Sequence, residues 1–539
     1  MNRRFVRPIL FRFLLLPALA ILLITGTGQA QLRILTYHGN NARTGQNPSE
    51  TILTPANVNK TNFGKLFSQP VDGQMYAEPL YVGGVILGSL KRNVVYVATE
   101  HDSVYAFDAD SATGASAAPL WQVNFTNAAA GVTTIPNADA GTKMIAPEIG
   151  ITSTPVIDAS TRTLFVVAAT KENGSYFQRL HALDISSGAE KFGGPIVIQA
   201  SVPGTGKDAV NGVVSFDALR QLQRAALLLL NGVVYIASAS HGLEKQIPYH
   251  GWVIGYNAKT LAQVSVFNTS PNGTQSGIWL AGGGPAADGL GGIYVSTGNG
   301  PFDANTGGSG YGSSVIRLNG SNLTVSDYFT PFDQANLTAL DLDLGSGGPI
   351  VLPFQSGTLH PHLLAAAGKN STIYLLDRKN MGKFNSTDNS QIVQSIPNAF
   401  GGHELMGTPA YFQNKVYFWA ENDVLRVFQL TNGLLSTTPI VTSVRGFSAG
   451  ATPVITANGT TNGTTNGILW ALQVDQWNRA GAAVLHAFDA NTAAELYGSN
   501  QSGTRDTAGP AVKFAVPTVV NGKVYVGTST ELDVYGLLP

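Results

Sequence analysis

At 539 residues, with 44% hydrophobic and only 12% charged side chains, the chain can bury a large core, which excludes a disordered protein. Its formal net charge is −1 and no basic stripe runs along it, so a nucleic-acid partner has no electrostatic support. The absence of cysteine excludes disulfides, Cys-ligated zinc, a thiol nucleophile and a haem attached through C-x-x-C-H. The 61 glycines point instead to many tight turns between short strands.

In chain order, residues 1–30 read as a secretory signal. Arg3, Arg4, Arg7 and Arg12 form a positive start, Phe13 to Thr25 is apolar, and Gly28-Gln29-Ala30 offers small residues for cleavage. The rival reading is an uncleaved anchor, for which the apolar run is short. The mature chain is expected to be secreted or periplasmic, with no membrane segment after cleavage. Residues 31–62 form an N-terminal extension, and the repeats occupy 63–539.

Two signals alternate through that region. The first is a small or polar residue followed by Pro at the start of an apolar strand: Pro79, Pro155, Pro285, Pro349, Pro409, Pro453 and Pro517, with Ala226 filling the one gap. The second is an apolar strand ending in Asp, Asn or Gln, at Asp108, Asp184, Asn257, Asn319, Asp377, Gln429 and Asp489, with a last copy running to Leu538. Between each pair lies another apolar run, such as Val94–Val97 or Val524–Gly527, continuous as in strands covered on both faces. Eight of each signal predict an all-β chain, an eight-bladed β-propeller of four-stranded antiparallel blades. The eighth unit stops at Pro539 without a fourth strand. The segment from Phe63 to Pro70 is predicted to supply it, removing an open sheet edge.

The turn pattern Ala-x-Asp-x-x-Thr/Ser-Gly-x-x-x-aromatic, as in Ala182-Leu-Asp184-Ile-Ser-Ser-Gly188-Ala-Glu-Lys-Phe192, resembles the repeats of pyrroloquinoline-quinone (PQQ) proteins, the quinoprotein alcohol dehydrogenase-like superfamily. The resemblance implies PQQ in the channel on a Trp floor, beside a metal ion and an Asp base. Trp279 matches the floor and Asn299, in Ser-Thr-Gly-Asn299, matches the amide that reaches the metal. Asp341 is the best match to the catalytic Asp and also reaches the metal, while Lys369-Asn370 resembles the pair that hydrogen-bonds the quinone. Glu244, after His241, stands where the metal Glu belongs, at a register that needs a short gap. Asp343, two residues after Asp341, resembles the additional acid of the lanthanide-using subset, so Ca²⁺ or a lanthanide ion is implied. If the stretch is a strand, both acids face one side.

Each residue also has a structural reading. Asn299 suits a turn, Trp279 a propeller core, the two acids a solvated face, Lys369 and Glu244 loop surface, and His241 and His250 packing. Without cysteine the chain departs from the family's adjacent-Cys disulfide, and no cytochrome segment is present. If active, the protein would oxidise a small-molecule alcohol or sugar and pass electrons to a separate acceptor such as a c-type cytochrome. The alternative is a cofactor-free propeller acting as a binding or scaffold module of the cell envelope. A glycan hydrolase lacks a recognisable carboxylate pair.

Overall fold

Proline has no N–H to give to a ladder, so it stands where a strand begins. Leu80–Leu87, Val156–Asp158, Ala286–Ala287, Ile350–Val351, Ala410–Phe412, Val454–Thr456 and Thr518–Val520 each start one residue after one of the seven marked prolines. In the remaining unit Leu228–Leu230 follows Ala226. The computed structural model describes residues 1–2, 32–242, 248–460, 463 and 465–539, and the propeller is built from Leu32–Pro539. The signal segment and Glu244 lie outside the described residues.

The first strand of each blade pairs antiparallel with the next apolar run, which pairs in turn with the strand ending in the turn residue. Val94 lies opposite Asp108, Thr163 opposite Asp184, Val233 opposite Asn257, Leu363 opposite Asp377 and Ile468 opposite Asp489. The turn acids do what their short acceptor side chains allow. Asp108 Oδ1 accepts the Asp110 N–H, Asp184 Oδ1 the Ser186 N–H, and Asp489 Oδ1 both the Asn491 and Thr492 N–H groups, each at 2.9 Å. The result is an eight-bladed propeller, most blades having four or five strands.

Continuous apolar runs follow from burial on both faces. Val94, Tyr96 and Ala98 pack with Leu164, Val166 and Leu183 of the second blade, while Val95 and Val97 pack with Tyr525 and Val534 of the eighth. Aromatics wedge between blades: Trp121 donates its indole N–H to Ile185 O of the next blade at 3.0 Å. A Cβ on Gly188 would stand 2.7 Å from that ring, so glycine is needed there.

The ring closes as the sequence predicts. Phe63–Pro70 lies antiparallel to Glu531–Leu537, with Phe63 opposite Leu537, Pro70 opposite Glu531 and a bulge near Leu66. The residues before it form a second closure. From Leu32 the chain visits the first strands of the blades in order: Arg33–Ile34 pair with Tyr81 and Val82, and Leu35 O accepts the Ile157 N–H. Asn41 Nδ2 donates to Leu229 O, Asn41 O accepts from Ala287, Ala42 O from Val351 and Thr44 O from Tyr411. Gln46–Asn47 pair with Ile455–Thr456, and Asn47 Nδ2 donates to Val519 O. One segment thus touches all eight blades, so their first strands surround it and it fills the channel.

Its polar side chains are sealed in. Arg43 is 0% exposed and donates to Pro285 O, Leu227 O, Thr36 Oγ1 and Tyr37 O at 2.7–3.1 Å. Both His38 ring nitrogens face carbonyl oxygens, of Arg43 and Pro453, each at 2.8 Å, and burial pushes the imidazole down to about 4. Glu78, also buried, accepts the His38 N–H at 2.8 Å and the Thr518 hydroxyl at 3.3 Å. Burial pushes its carboxyl up to about 8, outweighing those two donors and Arg43. A carboxyl whose pKa is raised on folding stabilises the fold most below its ordinary value near 4.5. That stabilisation is lost progressively as pH rises to about 8. Urea midpoints measured from pH 5 to pH 9 should therefore fall, and Glu78→Gln should flatten the decline; a variant as pH-sensitive as the parent would contradict this.

Candidate active site

In an antiparallel meander the end of the second strand and the entry to the first lie at the same end of a blade. Asn299 follows the strand Gly292–Ser296 and Lys369 follows Leu363–Ala367. Trp279 precedes Ala286–Ala287, and Asp341 and Asp343 precede Ile350–Val351. The fourth and fifth blades therefore deliver all five side chains to one end of the channel.

There they meet. The Asn299 backbone N–H donates to Asp343 Oδ1, and its Nδ2 to Asp341 Oδ1, both at 2.7 Å. Lys369 Nζ lies 2.7 Å from Asp343 Oδ2 and 3.3 Å from Asp341 Oδ2. Asn299 Oδ1 is buried with no hydrogen-bond partner among the described residues. Trp279 donates its indole N–H to Ser240 O at 3.0 Å and stands edge-on to Tyr249. A Cβ on Gly277 or Gly298 would come within 2.8 Å or 2.5 Å of the Trp279 ring, so two glycines let it lie flat against the backbone. The loop carrying it is strained: Gln275, Ser276, Leu280 and Ala281 all have left-handed φ, between 50° and 73°.

These residues line a half-open cavity of about 580 Å³. A larger, shallower groove of about 720 Å³ lies at the outer edge of the fourth and fifth blades, lined by Phe332, Asp388 and Gln394, and contains none of the five. Burial raises the Asp343 carboxyl above its ordinary range even against Lys369 and the Asn299 N–H. Burial alone would lower Lys369, but Asp343 and Asp341 hold its ammonium above its usual value.

The Asp-Leu-Asp stretch is not the strand expected from its alternation. Gln334–Leu340 is a seven-residue α-helix that Asp341 terminates with φ 61°, and Asp343 opens a 3-10 turn over Leu344–Ser346. Leu337 and Leu344 are the buried anchors, so the leucines mark helix and turn packing rather than a strand face. Both acids still reach Lys369, but unequally: the Asp341 side chain is 72% exposed and that of Asp343 11%. Asn370 is directed elsewhere, donating to the Tyr374 hydroxyl at 2.6 Å. His241 lines the cavity, and burial pushes it down to about 4. His250 packs instead, with Nε2 2.9 Å from Asp208.

Sequence reading missed three contributors. Glu404 lies close enough to feel Lys369, Asp341 and Asp343, and burial raises its carboxyl. Arg224 and Phe514 line the cavity from the third and eighth blades. Arg224 carried a signal: a charged residue directly before the apolar first strand of the one unit that lacks proline.

No family model and no curated protein matches the chain. Among solved structures, a europium-containing methanol dehydrogenase is similar over 94% of this chain and 98% of its own, at 14% identity and a TM-score of 0.58. The quinohemoprotein alcohol dehydrogenase of Comamonas testosteroni is similar over 94% and 80%, at 13% identity and a TM-score of 0.57. The corresponding enzyme from Pseudomonas putida HK5 has the same coverage and TM-score, at 14% identity. What the likeness shows is the fold, an eight-bladed propeller of the kind found in quinoprotein dehydrogenases.

Proposed function

We propose that the protein is an exported quinoprotein dehydrogenase-like enzyme that oxidises an alcohol or sugar with PQQ and a metal ion in the channel-end cavity. The observation that carries this is the meeting of Asn299, Asp341, Asp343 and Lys369 beside Trp279, in residues drawn from two blades. The donors fit a hard cation, being carboxylate and amide oxygens. The orphaned Asn299 Oδ1 is an oxygen lacking the partner that buried polar atoms require. The flat Trp279 ring on its two glycines fits a planar cofactor, and the volume lies within the usual range for small-molecule sites.

Asp343, Asp341 and Asn299 would hold the metal, and Trp279 would carry the cofactor's face. Held there, PQQ would supply a two-electron, hydride-accepting centre and the metal ion would polarise it. Asp341, the exposed acid, takes the hydroxyl proton at Oδ2, and Lys369 beside it stabilises developing negative charge. Export follows from the signal-like residues 1–30, and electrons leave to a separate acceptor such as a c-type cytochrome.

Titrating purified protein with PQQ plus Ca²⁺ or La³⁺, while following quinone absorbance, should give saturable binding. Asn299→Ala should weaken it about 10-fold or more. No binding with either ion would overturn the proposal and leave the cofactor-free module of the cell envelope.

A further inference from the structure

Where the outer closure joins the two ends of the propeller, a lysine from one strand meets two acids from the other. Glu531, Asp533 and Tyr535 alternate along Glu531–Leu537 and so share one face of that strand. Lys65 lies opposite Tyr535 on Phe63–Pro70, at the bulge. Its Nζ stands 2.5 Å from Asp533 Oδ1 and 2.9 Å from Glu531 Oε1, and donates to Thr507 O at 3.0 Å. The Asp533 side chain is 0% exposed and that of Lys65 16%. Asp533 Oδ2 accepts the Gly509 N–H at 2.8 Å. Oδ1 is buried with no hydrogen-bond partner among the described residues, so Nζ touches it without the alignment of a hydrogen bond.

The three groups differ in what they do with a proton. Burial raises the Asp533 carboxyl to about 7 and Glu531 adds to that, while Lys65 and the Gly509 N–H oppose it. Burial would raise Glu531 too, but Asp533 and Lys65 hold it below its ordinary range. Burial alone would lower Lys65, but the two acids keep its ammonium above its usual value. Of the two acids, Asp533 is the one that keeps a proton and Glu531 the one left as a base. In water an amine and a carboxylic acid do not condense, because hydration stabilises their ions. Burial removes that advantage, and contact distance replaces a chance encounter with a fixed one.

We propose that Lys65 and Asp533 condense to an isopeptide bond that ties the N-terminal strand covalently to the last strand of the propeller. The Glu531 carboxylate takes one proton from Lys65 Nζ. The free amine attacks Asp533 Cγ, and the Gly509 N–H steadies the charge that develops on Oδ2. The Nζ–Cγ bond forms, the Cγ–Oδ1 bond breaks, and Oδ1 leaves as water. That water carries the Asp533 carboxyl proton and a second proton from nitrogen, while Glu531 retains the first. The step is redox-neutral and needs no co-reactant. Once formed, the bond holds the outer closure even when its hydrogen bonds open, and it confines the unfolded chain to a loop. The inference is independent of the quinone reading.

The test is tryptic mass mapping of the full chain, folded and then denatured for digestion. The expected product is one branched peptide joining the Lys65 and Asp533 segments, lighter than the two together by about 18 Da, one water. Trypsin should not cut after Lys65. Cleavage there, with both segments recovered only as linear peptides from folded protein, overturns the proposal. Lys65→Arg and Asp533→Ala should each give linear peptides alone; a branched peptide retained in either places the bond elsewhere and overturns it as well. Glu531→Gln keeps both reacting groups but removes the base, so the yield of branched peptide after a fixed time should fall about 10-fold or more. An undiminished yield in a folded Glu531→Gln variant would make Glu531 an ion-pair partner only and overturn its part in the step.

Discussion

Arg43→Met is expected to lower the unfolding free energy by about 3–5 kcal/mol, because four buried acceptors lose hydrogen bonds from a charged donor, each worth roughly 1.5–3 kcal/mol before the relief of burying a charge. The side chain is fully enclosed and ties the N-terminal segment to two neighbouring blades that are distant from it in sequence, through Leu227 O in the third and Pro285 O in the fourth. Methionine fills most of the volume but donates nothing, so two blade carbonyls, Tyr37 O and the Thr36 hydroxyl lose a donor in a place that water does not reach. Relief from burying a charge offsets part of the loss. Burial pulls the guanidinium down to about 10, and only Tyr37 and Glu78 oppose that. Arg43→Lys should recover less than half, because one ammonium cannot span acceptors on two blades and on its own segment. The measurement is the guanidinium chloride midpoint at unchanged denaturant slope. A loss below about 1 kcal/mol would mean that the channel segment is held by its backbone bonds alone.

The difference between the two ring closures shows what was legible. The outer one could be read because a missing fourth strand leaves an edge, and Phe63–Pro70 has strand periodicity to fill it. The channel segment has neither repeat nor periodicity. Its order is set by carbonyls and N–H groups of eight strands, which no local pattern in residues 31–62 encodes. The blades were legible for the opposite reason: proline at a strand start and Asp at a turn are local chemistry repeated in each unit. The site lies between these cases. Trp279, Asn299, Asp341, Asp343 and Lys369 could be picked out by resemblance, and the structure brings them together. The geometry of the Asp-Leu-Asp stretch could not, since Leu337, Leu342 and Leu344 serve a helix end as well as they would serve a strand. Arg224, Glu404 and Phe514 come from blades that approach only when the ring closes. Their conjunction is a tertiary fact.

Asp343→Ala should separate the two cations that the cavity can be asked to hold. Asp343 is buried, receives the Asn299 N–H at 2.7 Å and pairs with Lys369, whereas Asp341 is mostly exposed. Removing it leaves Asp341 and the Asn299 amide as the remaining oxygen donors on these elements. A trivalent ion loses more hydration than a divalent ion of similar size and depends more on anionic ligands to offset it. The affinity for La³⁺ with PQQ should therefore fall about 100-fold and that for Ca²⁺ with PQQ nearer 10-fold. The variant's melting temperature should change little, because Lys369 retains Asp341 at 3.3 Å. Lys369 gives the complementary control. Its ammonium stands between the two carboxylates, so a cation must compete with it. Lys369→Met should raise the affinity for La³⁺ alone, in the absence of quinone, as measured by terbium or europium luminescence competition. Equal losses for the two ions in Asp343→Ala would show that Asp343 acts by holding Asn299 and Lys369 in place. Unchanged affinity for both would remove Asp343 from the metal shell altogether.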